Sequence, residues 1–64
     1  MEYREKIRNL RENKGMTLED LAEKLNVSKQ MVCQIERGTK ILTVPMAFAI
    51  ARVFGVSISE IISD

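Results

Sequence analysis

Long polar side chains cluster on one face of a short segment near the middle of this 64-residue chain. Gln30, Gln34 and Arg37 are four and three residues apart, which places them on one side of a helix, and Lys29 lies beside them at its start. A side-chain amide donates and accepts hydrogen bonds side by side, whereas lysine and arginine donate to acceptors and to phosphate oxygens. This face is therefore suited to bonding the edges of nucleic-acid bases and their phosphates. The alternative is an ordinary solvated helix face.

The residue types argue against an enzyme. The chain has no histidine and a single cysteine, Cys33, so it has no imidazole base, no intrachain disulfide and no set of zinc ligands. Its 64 residues, 45% of them hydrophobic, supply one small core but no deep substrate cavity. We therefore expect a single domain over residues 1–64 without enzymatic activity, cofactor, metal or small-molecule ligand.

Charge and hydropathy give limited information about the partners and the cellular location of the chain. Ten basic and nine acidic side chains give a net charge of +1, so an overall basic character does not indicate nucleic acid. No apolar run approaches the ~20 residues that cross a bilayer. The charged N-terminus also lacks the apolar stretch of a signal peptide. Together with the single cysteine, these features favour a cytoplasmic protein with no membrane partner.

Start and stop signals predict five helices joined by short connections. The N-caps are hydroxyl residues, and the stops are residues that accept the left-handed conformation. The predicted N-caps are Thr17, Ser28 and Thr43, and the predicted stops are Gly15, Asn26, Gly38 and Gly55. Asp20 can complete a capping box with Thr17, Pro45 stands in the first turn of the fourth helix, and Ser57 with Glu60 predicts a capping box at the fifth. The first helix is expected from about Glu2 and the fifth to fray at Asp64. No strand-like alternation competes, so the predicted fold class is all-α.

The second and third helices, over residues 17–38, are predicted to form a helix-turn-helix. Ala22 lets the two helices approach and Asn26 allows the sharp turn between them. Val32 and Ile35 lie on one side of the second of these helices and anchor it to the core. The polar face with the glutamines is therefore expected to point outward.

The chain resembles the Cro/CI-type (XRE) helix-turn-helix regulators over residues 7–62. The segments that carry the resemblance are 7–11 (IRNLR), 15–17 (GMT), 21–22 (LA), 27–28 (VS), 35–38 (IERG) and 54–57 (FGVS). The resemblance implies a five-helix lambda-repressor-like domain with the helix-turn-helix as helices 2 and 3. It also implies a sequence-specific regulator of transcription, expected to be a repressor, that reads the major groove of a palindromic double-stranded DNA operator as a homodimer.

The same resemblance assigns roles to individual residues. Base contacts are expected from Lys29, Gln30, Met31 and Gln34. Phosphate contacts are expected from Thr17, Arg37, Thr39 and Lys40. Arg11 and Glu36 match an ion pair that braces the first helix against the recognition helix, a structural role rather than a DNA contact.

Three features depart from the family pattern. Ile41 and Leu42 stand where the loop before the fourth helix usually holds an Asn-Pro pair. Leu18 stands where many members have a glutamine that grips phosphate, and residues 43–51 carry no charge. The apolar excess around the fourth helix predicts a homodimer interface; the alternative is a slightly apolar surface or core filling. Dimer contacts are predicted at Ile41, Leu42, Met46, Val56, Ile58 and Ile62.

Other interpretations stay open at this point. An antitoxin or another protein-interaction module on the same fold is favoured by the low net charge and by Leu18, and disfavoured by the polar set of Lys29, Gln30 and Gln34. Cys33 is expected to be a small residue near the sugar–phosphate wall. Its alternative role, a redox switch that blocks DNA binding, needs clustered cations near the thiol. The residues are also compatible with a piece cut from a longer regulator.

Overall fold

The computed structural model describes residues 3–62, which form five α-helices joined by short connections. The helices are α1 (Tyr3–Asn13), α2 (Leu18–Leu25), α3 (Lys29–Arg37), α4 (Val44–Phe54) and α5 (Ser59–Ile62). No strand occurs within residues 3–62, and the predicted five-helix, all-α fold is confirmed. The predicted start of the first helix at Glu2 and the fraying at Asp64 lie outside the described residues.

A reciprocal capping box fixes the start of α2. The Asp20 N–H donates to Thr17 Oγ1 at 3.0 Å, and the Thr17 N–H donates to Asp20 Oδ2 at 2.9 Å. Two of the amides that lack a partner at a helix start are thereby satisfied. The hydrogen bond from the Thr17 N–H also lowers the pKa of the Asp20 carboxyl below its ordinary value.

The turn between α2 and α3 depends on one left-handed residue. Asn26 adopts φ 60° and ψ 42°, and the Val27 N–H donates to the Ala22 carbonyl at 3.0 Å, which closes the end of α2. Ser28 then caps α3, since its Oγ accepts the Met31 N–H at 3.1 Å. The helix-turn-helix predicted over residues 17–38 thus has the boundaries that its caps indicate.

One core holds all five helices together. Its buried members are Ile7, Leu21, Ala22, Val32, Ile35, Ile50, Ala51, Phe54 and Ile61. Val32 and Ile35 are the two buried residues of α3, so one side of this helix is fixed against the core and the other side remains at the surface. The core therefore determines which face of α3 is available to a partner.

The start of α5 differs from the prediction. The expected capping box of Ser57 and Glu60 does not form, because the Ser57 hydroxyl pairs with the Ser59 hydroxyl at 2.9 Å. The Glu60 N–H donates to the Ser57 backbone carbonyl instead, at 3.0 Å. This bond spans three residues, as in a 3₁₀ turn, and it satisfies the Glu60 amide, so no side-chain cap is required at the start of the four-residue α5.

The apolar surface around α4 also differs from the prediction. Of the six residues expected at a dimer interface, only Ile41 is predominantly exposed, at 83%; the other five are half-buried and pack against the core. Val44 and Phe48 are 62% and 57% exposed instead. The difference follows from the orientation of α4. This helix buries the side that carries Ala47, Ile50, Ala51 and Phe54, whereas Val44 and Phe48, one turn apart, lie beside that side and remain exposed.

Candidate nucleic-acid interface

The outward side of α3 carries long polar groups on a rigid base. Lys29, Gln30 and Arg37 are exposed and Gln34 is half-buried, while the opposite side of the helix is fixed in the core. The first turn of α3 is capped only by Ser28, so its remaining amides and the positive end of the helix dipole face solvent. This arrangement can present hydrogen-bond donors and acceptors to a flat partner without moving the backbone.

Two of the residues expected to read bases are less accessible than their positions suggest. Met31 is half-buried, because part of its side chain packs against the core and only the remainder is exposed to solvent. Gln34 is half-buried, and its backbone carbonyl accepts both the Thr39 N–H at 3.0 Å and the Thr39 hydroxyl at 3.3 Å. The exposed members of the set are therefore Lys29 and Gln30.

The residues expected to contact phosphate flank α3. Thr17 is exposed, and its hydroxyl takes part in the capping box with Asp20, so it must share or exchange these bonds to reach a phosphate. Arg37, the last residue of α3, and Lys40, in the connection that follows it, are exposed. Thr39 is exposed too, but its hydroxyl already donates to a carbonyl and must exchange that bond to reach a phosphate.

A two-pronged ion pair ties α1 to α3. Arg11 Nε lies 2.8 Å from Glu36 Oε2, and Arg11 Nη2 lies 3.1 Å from Glu36 Oε1. Arg11 Nη1 also donates to the Met16 carbonyl at 2.8 Å, in the connection that precedes α2. The hydrogen bond to Glu36 raises the pKa of Arg11, so the guanidinium stays charged. The structure thus brings together the two residues expected to brace the recognition helix.

An open cleft of about 580 Å³ lies between α1 and α3. Its wall includes four arginines, Arg4, Arg8, Arg11 and Arg37. Leu18 at the start of α2 and the half-buried Cys33 also line it. Sequence patterns did not indicate this cleft, because it depends on how α1 packs against α3. The only available signal was the run of basic residues along α1.

Residues 3–62 contain neither a membrane-spanning helix nor a cluster of metal-ligating side chains. No helix there is long and apolar enough to cross a bilayer. No group of three or more histidine, cysteine, aspartate or glutamate side chains there could hold a metal ion.

Comparison with known proteins gives consistent matches over nearly the whole chain. A family model described as helix-turn-helix matches residues 7–61. An uncharacterized HTH-type transcriptional regulator of Methanocaldococcus jannaschii is 43% identical over 56 residues, 88% of this chain and 85% of that protein. Another of Archaeoglobus fulgidus is 36% identical over 58 residues, covering 91% and 83%. The HTH-type transcriptional activator BcrR of Enterococcus faecalis is 36% identical over 63 residues, 98% of this chain but 31% of BcrR.

Proposed function

This chain belongs to the XRE-type helix-turn-helix family of DNA-binding transcriptional regulators, and from that premise we propose that it represses transcription by placing α3 in the major groove of a palindromic operator as a homodimer. The observation that carries the proposal is the exposed pair Lys29 and Gln30 on the first turn of a helix whose other side is buried. A regulator of this kind acts where the DNA is, so we expect it in the cytoplasm.

The side chains of α3 match what base recognition requires. A glutamine can bond adenine through two adjacent groups, and a lysine can donate to the N7 and O6 acceptors of guanine. Gln30 and Lys29 are assigned these roles first, with Gln34 reaching a base after a change of rotamer. Met31 is assigned the smallest contribution, because its packing against the core limits its reach to a thymine methyl.

Pairing of two copies is part of the proposal. A single small module makes few base contacts, whereas two modules on an inverted repeat read half-sites about 34 Å apart. Ile41, Val44 and Phe48, here called the α4 apolar patch, are the large exposed hydrophobic residues within the described chain. Residues 41–51 contain no Asp, Glu, Lys or Arg, so two symmetric copies can meet there without opposing like charges.

The size of the patch limits the strength of pairing. A stable interface takes roughly 20–30 residues from each partner, far more than three exposed side chains and their neighbours supply. We therefore expect weak pairing in solution that becomes strong when both copies are held on one DNA duplex. Phe48→Lys is expected to abolish cooperative binding to the full operator and to leave binding to a single half-site unchanged, in a gel-shift titration.

Selection of bound duplexes from a random DNA pool tests the proposed function. The expected result is an enriched inverted repeat whose halves are about one helical turn apart. A reporter gene placed downstream of that repeat is expected to lose expression when the protein is produced. A gain of expression would contradict the proposed repression but would leave the proposal of DNA recognition intact. Activation is the alternative because the relative BcrR is described as an activator.

A protein-interaction module, such as an antitoxin, is the second candidate function. The exposed α4 apolar patch favours it, because such a patch on a small domain usually meets a partner. This candidate predicts no enriched DNA motif and a stable complex with a different protein whose formation Phe48→Lys prevents. The random-pool selection therefore separates the two functions directly.

A further inference from the structure

The cleft between α1 and α3 adjoins the polar face of the recognition helix. Residues 30, 33, 34 and 37 follow one another along one side of α3, at the spacing of successive helical turns. Cys33 and Arg37 belong to this side and also line the cleft. The cleft therefore begins where the face assigned to bases ends, and α1 forms its far wall.

Two of the arginines in the cleft have no partner within residues 3–62. Arg11 is engaged by Glu36, and Glu12 lies 4.0 Å from Arg11 Nη2. Arg8 and Arg37, in contrast, are exposed, and no hydrogen bond or ion pair joins either side chain to another described residue. Two guanidinium groups from different helices thus face one open cleft with their donors available.

We infer that this cleft binds the sugar–phosphate backbone of the DNA strand flanking the bases that α3 reads, with Arg8 as a contact in addition to Arg37, to which the resemblance already assigns a phosphate; the inference rests on the proposed function. Guanidinium donors form a planar fork that matches the two free oxygens of a phosphodiester. A net charge of only +1 gives the molecule no general attraction for DNA, so such local contacts must supply it. Arg8 is thereby a DNA contact on a helix outside the helix-turn-helix.

The acidic residues of the cleft define the limits of the contact. Glu5 and Glu12 also line it and repel a phosphate. The backbone therefore touches the two arginines and does not fill the cleft. Glu5 is exposed, so its neutralisation removes a repulsive charge from the cleft, and its effect on DNA binding should have the opposite sign to that of removing Arg8.

The test is a salt titration of DNA binding by the whole chain. The probes are a duplex of random sequence and the duplex enriched by selection, with Arg8→Gln, Arg8→Lys and Glu5→Gln as variants. Arg8→Gln is expected to lower the affinity for both duplexes by the same factor, roughly five- to tenfold per protomer at 0.1 M salt, and to reduce the slope of log K against log salt by about 0.9 per protomer. Arg8→Lys should restore most of the slope, and Glu5→Gln should tighten binding to both duplexes.

Arg52→Gln is the matched control. Arg52 is an exposed arginine on α4 outside the cleft, so this variant removes the same charge from a different surface. If Arg8→Gln changes the slope no more than Arg52→Gln does, the inference is wrong. The proposed function has its own test: it is wrong if the wild-type protein binds the enriched and random duplexes equally. The role of Arg8 can then still be decided from binding to the random duplex alone.

Discussion

Removal of Arg11 is expected to destabilise the domain strongly, because its side chain links α1, α3 and the connection before α2. Arg11→Met keeps most of the aliphatic volume of the side chain and deletes its three hydrogen bonds, two to Glu36 and one to the Met16 carbonyl. The Glu36 carboxylate then stays between α1 and α3 without its counter-charge. The recognition helix loses its polar tie to α1 at the same time.

The burial of the pair sets the magnitude. The side chains of Arg11 and Glu36 are 11% and 8% exposed, so the pair resembles a buried one more than a surface one. Loss of one partner costs 0–1 kcal/mol for exposed pairs and about 3–5 kcal/mol for buried pairs. We expect about 3 kcal/mol here. A domain of this size has roughly 3–10 kcal/mol in total, so the variant should be close to unfolding.

Urea unfolding and thermal unfolding, both followed by circular dichroism, measure this effect. The midpoint of thermal unfolding should fall by about 12–24 °C, at about 4–8 °C per kcal/mol for a domain of this length. Arg11→Met with Glu36→Met should recover most of the loss, because no unpaired carboxylate remains. A loss below about 1 kcal/mol in the single variant would show that the pair behaves as a surface ion pair, and would refute the reasoning.

Two further predictions concern helix ends. Gly38→Ala and Gly55→Ala should each destabilise the domain in urea unfolding, because both glycines have positive φ (82° and 68°) and strain at such a position costs of order 1–3 kcal/mol. The loss should be somewhat larger at Gly38, where the new Cβ would have to displace the flexible Arg4 side chain, and no loss at either position would contradict the prediction. The Asp20 carboxylate has a lowered pKa because it accepts the Thr17 N–H, so its contribution is fully present above its ordinary pKa of 3.8 and is lost as the pH falls through its lower folded pKa. The stability advantage of the wild type over Asp20→Asn should therefore shrink in acid, and an advantage that does not depend on pH would contradict this assignment.

Local signals predicted the helix boundaries because caps act within a few residues. Thr17, Asn26 and Ser28 have side-chain or backbone preferences that fix the ends of α2 and α3, and the structure uses all three. The capping box expected at Ser57 failed because the hydroxyl of Ser59 competes for the same side chain, which the spacing of residues does not show.

Tertiary contacts explain what the sequence could not predict. Residues 44–54 are almost entirely apolar, so no periodic pattern distinguishes Val44 and Phe48 from their buried neighbours; only the direction in which α4 packs does so. Met31 occupies a recognition-helix position but lies close enough to the core to be partly buried. In the sequence, Arg8 is one of several charged residues on α1, and only the packing of α1 against α3 brings it into the same cleft as Arg37.

The affinity of a Gln30→Ala, Gln34→Ala variant for DNA tests the central claim most directly. The quantity to measure is the ratio of the dissociation constants for a scrambled duplex and for the enriched duplex, at one salt concentration. If these glutamines read bases, the ratio should fall by roughly 5- to 150-fold, about 1–3 kcal/mol, for each good pairing lost, while binding to the scrambled duplex stays nearly unchanged. A ratio equal to that of the wild type would contradict the assignment of α3 as the element that reads the sequence.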